Sequence, residues 1–102
     1  MMPTQVRVLP ITDRAHDYAQ EIVDRLRDAG IRAESDYRSE KLGYKIREAQ
    51  MQKIPYMLVV GDRDMENQTV SVRTRAGVDL GAMSVDDFRT KCRAEIDTKV
   101  RD

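Results

Sequence analysis

A chain of 102 residues, 40% hydrophobic and 35% charged, suits one domain with a modest core, and its eighteen basic and eighteen acidic side chains cancel. That balance excludes a global positive field that would draw the protein to polyanions, so any such site has to be local. The composition also leaves no 18-residue apolar span or secretory leader to expect, and the single Cys92 excludes an internal disulfide, so packing must hold a fold whose expected setting is the cytosol.

Met1 to Thr4 reads as a start outside the packed unit, with one domain expected over residues 5–100. Gln5 to Leu9 (QVRVL) alternates polar and apolar residues and is closed by Pro10, which predicts a short strand. Asp13 is placed to cap a helix in which Ala15, Ala19, Ile22, Val23 and Leu26 recur at helical spacing, with Gly30 as its left-handed stop. Ile31 to Asp36 predicts a second strand. Ser39 or its neighbours open a second helix that turns Leu42, Ile46 and Ala49 inward, flanked by Lys41, Lys45, Glu48 and Gln52, and ends before Pro55. Tyr56 to Val60 (YMLVV) predicts a strand buried on both faces, as in the middle of a parallel sheet.

Gly61 to Gln68 carries turn chemistry. In Thr69 to Thr74, alternation puts Val70 and Val72 on one side and Ser71 and Arg73 on the other, and a return through Val78 and Leu80 completes a hairpin. Ser84, with Asp87 three positions on, opens a last helix that buries Val85, Phe88, Cys92 and Ile96. The order β-α-β-α-β-β-β-α predicts an α/β fold, a mixed five-stranded sheet flanked by three helices, with the first three strands parallel and the hairpin antiparallel.

No catalytic constellation emerges. His16 falls on the polar side of the first helix, Cys92 on the apolar stripe of the last, and nothing has metal-ligand spacing. Gly61 before Asp62 lacks the glycine-rich entry into a helix that cradles phosphate. Between Asp36 and Lys53, five basic residues face three acidic ones, and Arg73 and Arg75 add a second uncompensated pair. On the second helix, Arg47 points away from the apolar arc, on the side shared by Gly43. A helix glycine lies about 1 kcal/mol above alanine, so Gly43 implies either close packing inside the domain or room for a phosphate or base beside Arg47.

The segments EKLGYKIREAQ, KIPYMLVVGD and VSVRTRAGVDLG, within Asp36 to Gly81, resemble the C-terminal anticodon-binding domain of threonyl-tRNA synthetase, a class II aminoacyl-tRNA synthetase, more closely than the histidyl, prolyl or glycyl relatives. The resemblance spans nearly the whole chain and implies a mixed five-stranded sheet that holds a splayed anticodon loop. It implies RNA contacts from Ser39, Lys41, Arg47, Lys53, Asp64 and Arg73, the second and third anticodon letters being read most strictly. Ser39 stands where that family commonly has asparagine, and is equally suited to capping the helix. Asp64 stands where it commonly has glutamate, so its base contact becomes direct, water-bridged or absent. Tyr37 and Tyr44 suit packing better than stacking on bases.

The same resemblance implies no catalysis and no cofactor in this domain, with ATP, threonine and zinc handled by a preceding catalytic domain. It implies threonine tRNA as partner, no membrane, a mostly monomeric isolated domain and a homodimeric full enzyme. Two other readings stay open: a free-standing synthetase-like paralogue binding another structured RNA, such as a messenger leader, or a small α/β domain binding a nucleotide or a protein.

Overall fold

One uncharged strand organises the domain. The computed structural model describes residues 4–37 and 41–100, with side chains through residue 94. Strand β3 (Tyr56–Val60) is buried at all five positions. It lies at the centre of a five-stranded sheet, between β1 (Val6–Pro10) with β2 (Ala33–Ser35) beyond it, and β4 (Thr69–Thr74) with β5 (Asp79–Ser84) beyond that. β1 runs parallel to both its neighbours, with Val6 opposite Ala33 and Tyr56. The hairpin strands pair antiparallel, as alternation and the crossover rule predict.

Helices α1 (His16–Asp28) and α4 (Val85–Val100) cover one face of the sheet. Their apolar stripes, Ala19, Ile22, Val23 and Leu26 from α1 and Val85, Phe88 and Cys92 from α4, meet Val6, Val8, Leu58, Val60, Val70 and Val72 in one core. Phe88 is fully buried and packs edge-on to Tyr56, ring centroids 5.4 Å apart. Ile96, expected in this stripe, lies outside the described side chains. Ser84 Oγ accepts the Asp87 N–H at 3.1 Å, the predicted start of α4. Gly30, at φ +81°, stops α1, with Ile31 N–H returning to Leu26 O at 2.9 Å.

The sequence reading needs three corrections. Among the described residues the α-helices number four rather than three, because Gly61 to Gln68, read as a turn, contains the six-residue α3 (Asp62–Asn67). Its stop is Gln68 at φ 58°. Asp13 does not cap α1: a 3₁₀ turn over Asp13–Ala15 intervenes, no cap bond forms to its side chain, and its carboxylate lies 3.7 Å from His16 Nε2 instead. Lys45, expected to flank the buried arc of α2 (Leu42–Met51), is 4% exposed, its Nζ donating to the Asp36 carbonyl at 3.2 Å.

α2 covers the opposite face with Ala49, Leu42 and Ile46 over Leu9, Met57 and Val59. Beside that cluster, Arg7 of β1 is 8% exposed. Its Nε donates to Glu34 Oε1 at 2.9 Å and its Nη2 to Gln52 Oε1 at 2.7 Å, tying β1, β2 and the end of α2 together. Nη1 is buried without an acceptor among the described residues. At the hairpin edge, the β4–β5 register slips between Val72 and Arg73, and Gly81 takes φ +82°.

The Arg7 network yields a test. Glu34→Ala leaves a buried guanidinium without its carboxylate and should lower stability by about 1–3 kcal/mol in urea denaturation. Glu34→Gln, which keeps an acceptor, should lose less.

Candidate nucleic-acid interface

The cluster beneath α2 draws on β1 and β3 and takes nothing from β4 or β5, so α2 does not cover the hairpin on this side. Val70 and Val72 are fully buried on the far side, which turns Thr69, Ser71 and Arg73 onto this uncovered face. The strand order β2-β1-β3 also forces the chain to leave neighbouring strands β1 and β3 in opposite directions, and such a switch point opens a crevice beyond their carboxyl ends. There the loops meet closely. A Cβ on Gly61 would stand 3.2 Å from Ile11 Cδ1, and Thr12 Oγ1 donates to Asp62 Oδ1 at 3.4 Å.

The result is a depression of about 650 Å³ whose polar lining includes Thr12, Arg63, Asp64, Asn67, Thr69 and Ser71. Asp62 and Asp64 outnumber Arg63 in it, so it disfavours phosphate and suits a neutral polar group. Asp64 is 9% exposed. Its Oδ2 accepts the Gly61 N–H at 3.1 Å, and its Oδ1 accepts the Thr69 hydroxyl at 3.0 Å and the Ser71 hydroxyl at 3.5 Å. The carboxylate read as a turn acceptor for a base is thus the third residue of a short helix, occupied by its own fold. On the other side of β4, Tyr18 OH donates to the Thr69 carbonyl at 2.7 Å.

The other described members of the predicted set lie on β4 and on or beside α2. Arg73 follows Ser71 on the uncovered face of β4, opposite Met57. Lys41 is exposed at the entry to α2 and Arg47 is exposed on its outer side. Lys53 is exposed beyond the far end of α2, so it lies before β3 while Asp64 lies after it. Ser39 lies outside the described residues. The depression therefore gathers Asp64 but not the whole predicted set, and sequence reading missed Thr12, Asn67 and Thr69 as lining residues. The strand order was the available signal for them, through the switch-point rule.

Two features of α2 run against its stability. A Cβ added to Gly43 would meet nothing within 4 Å, so close packing inside the domain does not explain this glycine. Lys53 holds φ 62° at the left-handed position after the helix, where Lys53 N–H returns to Gln50 O at 3.0 Å and Ile54 N–H to Ala49 O at 3.1 Å. That is a glycine-favouring position occupied by a lysine. Tyr44 and Tyr37 are exposed, Tyr37 tilted on His16 with centroids 4.8 Å apart and its hydroxyl 3.0 Å from Gln20 Oε1.

Residues 5–95 match the model of a family described as anticodon binding domain. The chain is 58% identical over 100 residues to a threonine–tRNA ligase of Syntrophomonas wolfei, covering 98% of this chain and 16% of that protein. It is 59% identical over 99 residues to that of Desulforamulus reducens, again covering 16% of the relative. The chain thus spans about a sixth of the length of these relatives. Among solved structures, the RNA binding domain of threonyl-tRNA synthetase from Cryptosporidium parvum superposes with a TM-score of 0.84 at 28% identity, covering 90% of this chain and 23% of that one. Histidyl-tRNA synthetase from Nostoc shares the fold at 20% identity and a TM-score of 0.85, over 93% of this chain and 23% of its own.

Gly43→Ala and Lys53→Gly should each raise stability by about 1 kcal/mol, read from urea midpoints. Tyr18 supplies a pH test. Burial first, then the Asp64 and Glu21 carboxylates, hold its phenol above the ordinary 10.0, against an opposing pull from Arg25. The folded state keeps this proton longer than the unfolded chain. Its stabilising contribution is therefore full below pH 10.0 and is lost as pH rises through the raised folded value. Tyr18→Phe should lower stability by about 1 kcal/mol at neutral pH, and the gap to the parent should narrow in denaturation series above pH 10.0.

Proposed function

Since the chain belongs to the anticodon-binding domain family, we propose that it reads the anticodon loop of threonine tRNA as the C-terminal module of a threonyl-tRNA synthetase. The observation that carries this reading is the uncovered hairpin face, where Thr69, Ser71 and Arg73 leave the sheet beside a depression rich in acceptors. Sequence-specific RNA recognition works on unstacked loop bases, whose edges need polar side chains in a recess while basic groups outside hold the phosphates. The two requirements separate here. The depression carries acidic and neutral groups, whereas Lys41, Arg47 and Lys53 stand exposed along α2.

Arg73 presents a planar fork of donors from a strand, suited to a base edge with two acceptors. Arg47 and the open space at Gly43 suit close approach of the sugar–phosphate chain, and Lys53, kept in a backbone conformation that resists it, suits a contact outside the domain. Ser39 joins the set through its place before α2. The domain performs no chemistry of its own in this reading; aminoacylation, with its ATP and zinc, falls to parts of the relatives beyond the matched stretch, as does the dimer contact. The isolated domain is then monomeric, and its natural setting cytoplasmic. Among the described residues, no helix is long and apolar enough to cross a membrane.

Titration with an anticodon stem-loop of threonine tRNA tests the proposal. Binding should weaken with salt, modestly because few phosphates are neutralised, and should fall when the second anticodon letter is exchanged. Arg73→Ala should relax discrimination at one letter by about 1–3 kcal/mol. Gly43→Ala should weaken binding while it stabilises the fold. Equal affinity for loops with exchanged letters overturns the specificity, and absence of salt-sensitive binding overturns the RNA reading.

A further inference from the structure

Lys45 places an ammonium group on the side of α2 where its neighbours Leu42, Ile46 and Ala49 are apolar and packed on the sheet. It is 4% exposed, so it does not reach a phosphate outside the domain. Its Nζ donates to the Asp36 carbonyl at 3.2 Å, and no ion pair joins it to a carboxylate among the described residues. A buried charge met only by a neutral carbonyl costs stability, and an apolar side chain of equal length packs as well or better. Packing therefore does not explain this lysine.

The bond instead fixes where α2 begins. Asp36 follows the last residue of β2, and its N–H is held by Val8 O at 3.0 Å. The Lys45 N–H closes the first turn of α2 on Lys41 O at 3.1 Å. One residue thus ties the end of β2, through its ammonium, to the start of α2, through its backbone. Tyr37 adds a second tether, toward α1 on the opposite face of the sheet. Its ring lies 4.8 Å from that of His16, and its hydroxyl donates to Gln20 Oε1 at 3.0 Å. The Gln20 amide is itself oriented, because its Nε2 donates to Asp24 Oδ1 at 3.0 Å.

Building on the anticodon reading above, we propose that Lys45 and Tyr37 are positioning residues for RNA binding. They hold the start of α2 against the end of β2, so that Lys41 at its entry and Arg47 on its outer side stand in place before RNA arrives. Neither Lys45 nor the Tyr37 hydroxyl touches the RNA. Preorganisation of this kind strengthens binding by removing order that association would otherwise have to impose. It counts for more in a chain of zero net charge, where a few cations carry all of the attraction to phosphate.

The 102-residue chain would be titrated with an anticodon stem-loop of threonine tRNA over a series of salt concentrations. Lys45→Met should weaken binding about fivefold, with the urea midpoint unchanged or raised. The slope of log affinity against log salt should stay that of the parent, whereas Lys41→Ala should reduce it by about one. Tyr37→Phe and Gln20→Leu should each weaken binding about threefold, and the double variant no further, because both break one tether. If Lys45→Met does not fold, that pair decides. Parent affinity in Lys45→Met, or a slope reduced as in Lys41→Ala, overturns the proposal. Weaker binding in Tyr37→Phe with parent affinity in Gln20→Leu makes the tyrosine hydroxyl a direct contact and overturns it too. Failure of the parent to bind in a salt-sensitive way overturns instead the anticodon reading beneath it.

Discussion

The five residues Tyr56–Val60 have to be covered on both faces, and the rest of the architecture follows from that demand. An uncharged strand can be buried so only in the middle of a sheet with helices above and below. α1 and α4 together cover one side of the sheet out to Val70 and Val72. The other side has α2 over β1 and β3, and a ten-residue helix is one helix wide, so it does not reach the hairpin. The half-buried strip along β4 is what remains when a five-stranded sheet is covered unequally.

Polar groups then fix the strip where packing does not. Thr69 is held from both sides of the sheet, its carbonyl by Tyr18 and its hydroxyl by Asp64. Across the molecule, Arg7 joins two strands to the end of α2 through Glu34 and Gln52. α2 is anchored below and suboptimal above. Its buried side carries Ala49 and a tethered Lys45, while its outer side retains an unfilled Gly43 and runs out through a left-handed Lys53. Such departures from local preference are expected where a surface is shaped for something other than its own fold.

Much of this was legible in the residues. Strict alternation from Thr69 to Thr74 fixed which side chains leave the core, the run YMLVV marked the central strand, and Gly30 and Ser84 ended and began helices where local chemistry directs them. What escaped has physical causes. α3 is less than two turns long, too short for helical periodicity to register against the turn-forming Gly61, Asp62 and Asn67. Lys45 is buried because the Asp36 carbonyl lies within its reach, a fact of tertiary position. Asp64 carries the same lesson for the site: the residue type was legible, whereas its partners at positions 61, 69 and 71 follow from the fold. Resemblance located residues along α2 and β4, and only the strand order located the depression.

The slipped register and the left-handed Gly81 at the hairpin rim bear on how copies of the protein behave toward one another. β5 is a terminal strand of the sheet, exposed from Asp79 through Ala82, and a straight rim of that length is a template onto which another chain can zip. The pucker breaks the even spacing of free N–H and C=O groups that such growth requires. With that pucker the rim is a poorer template for strand addition by another copy than a straight edge of the same length.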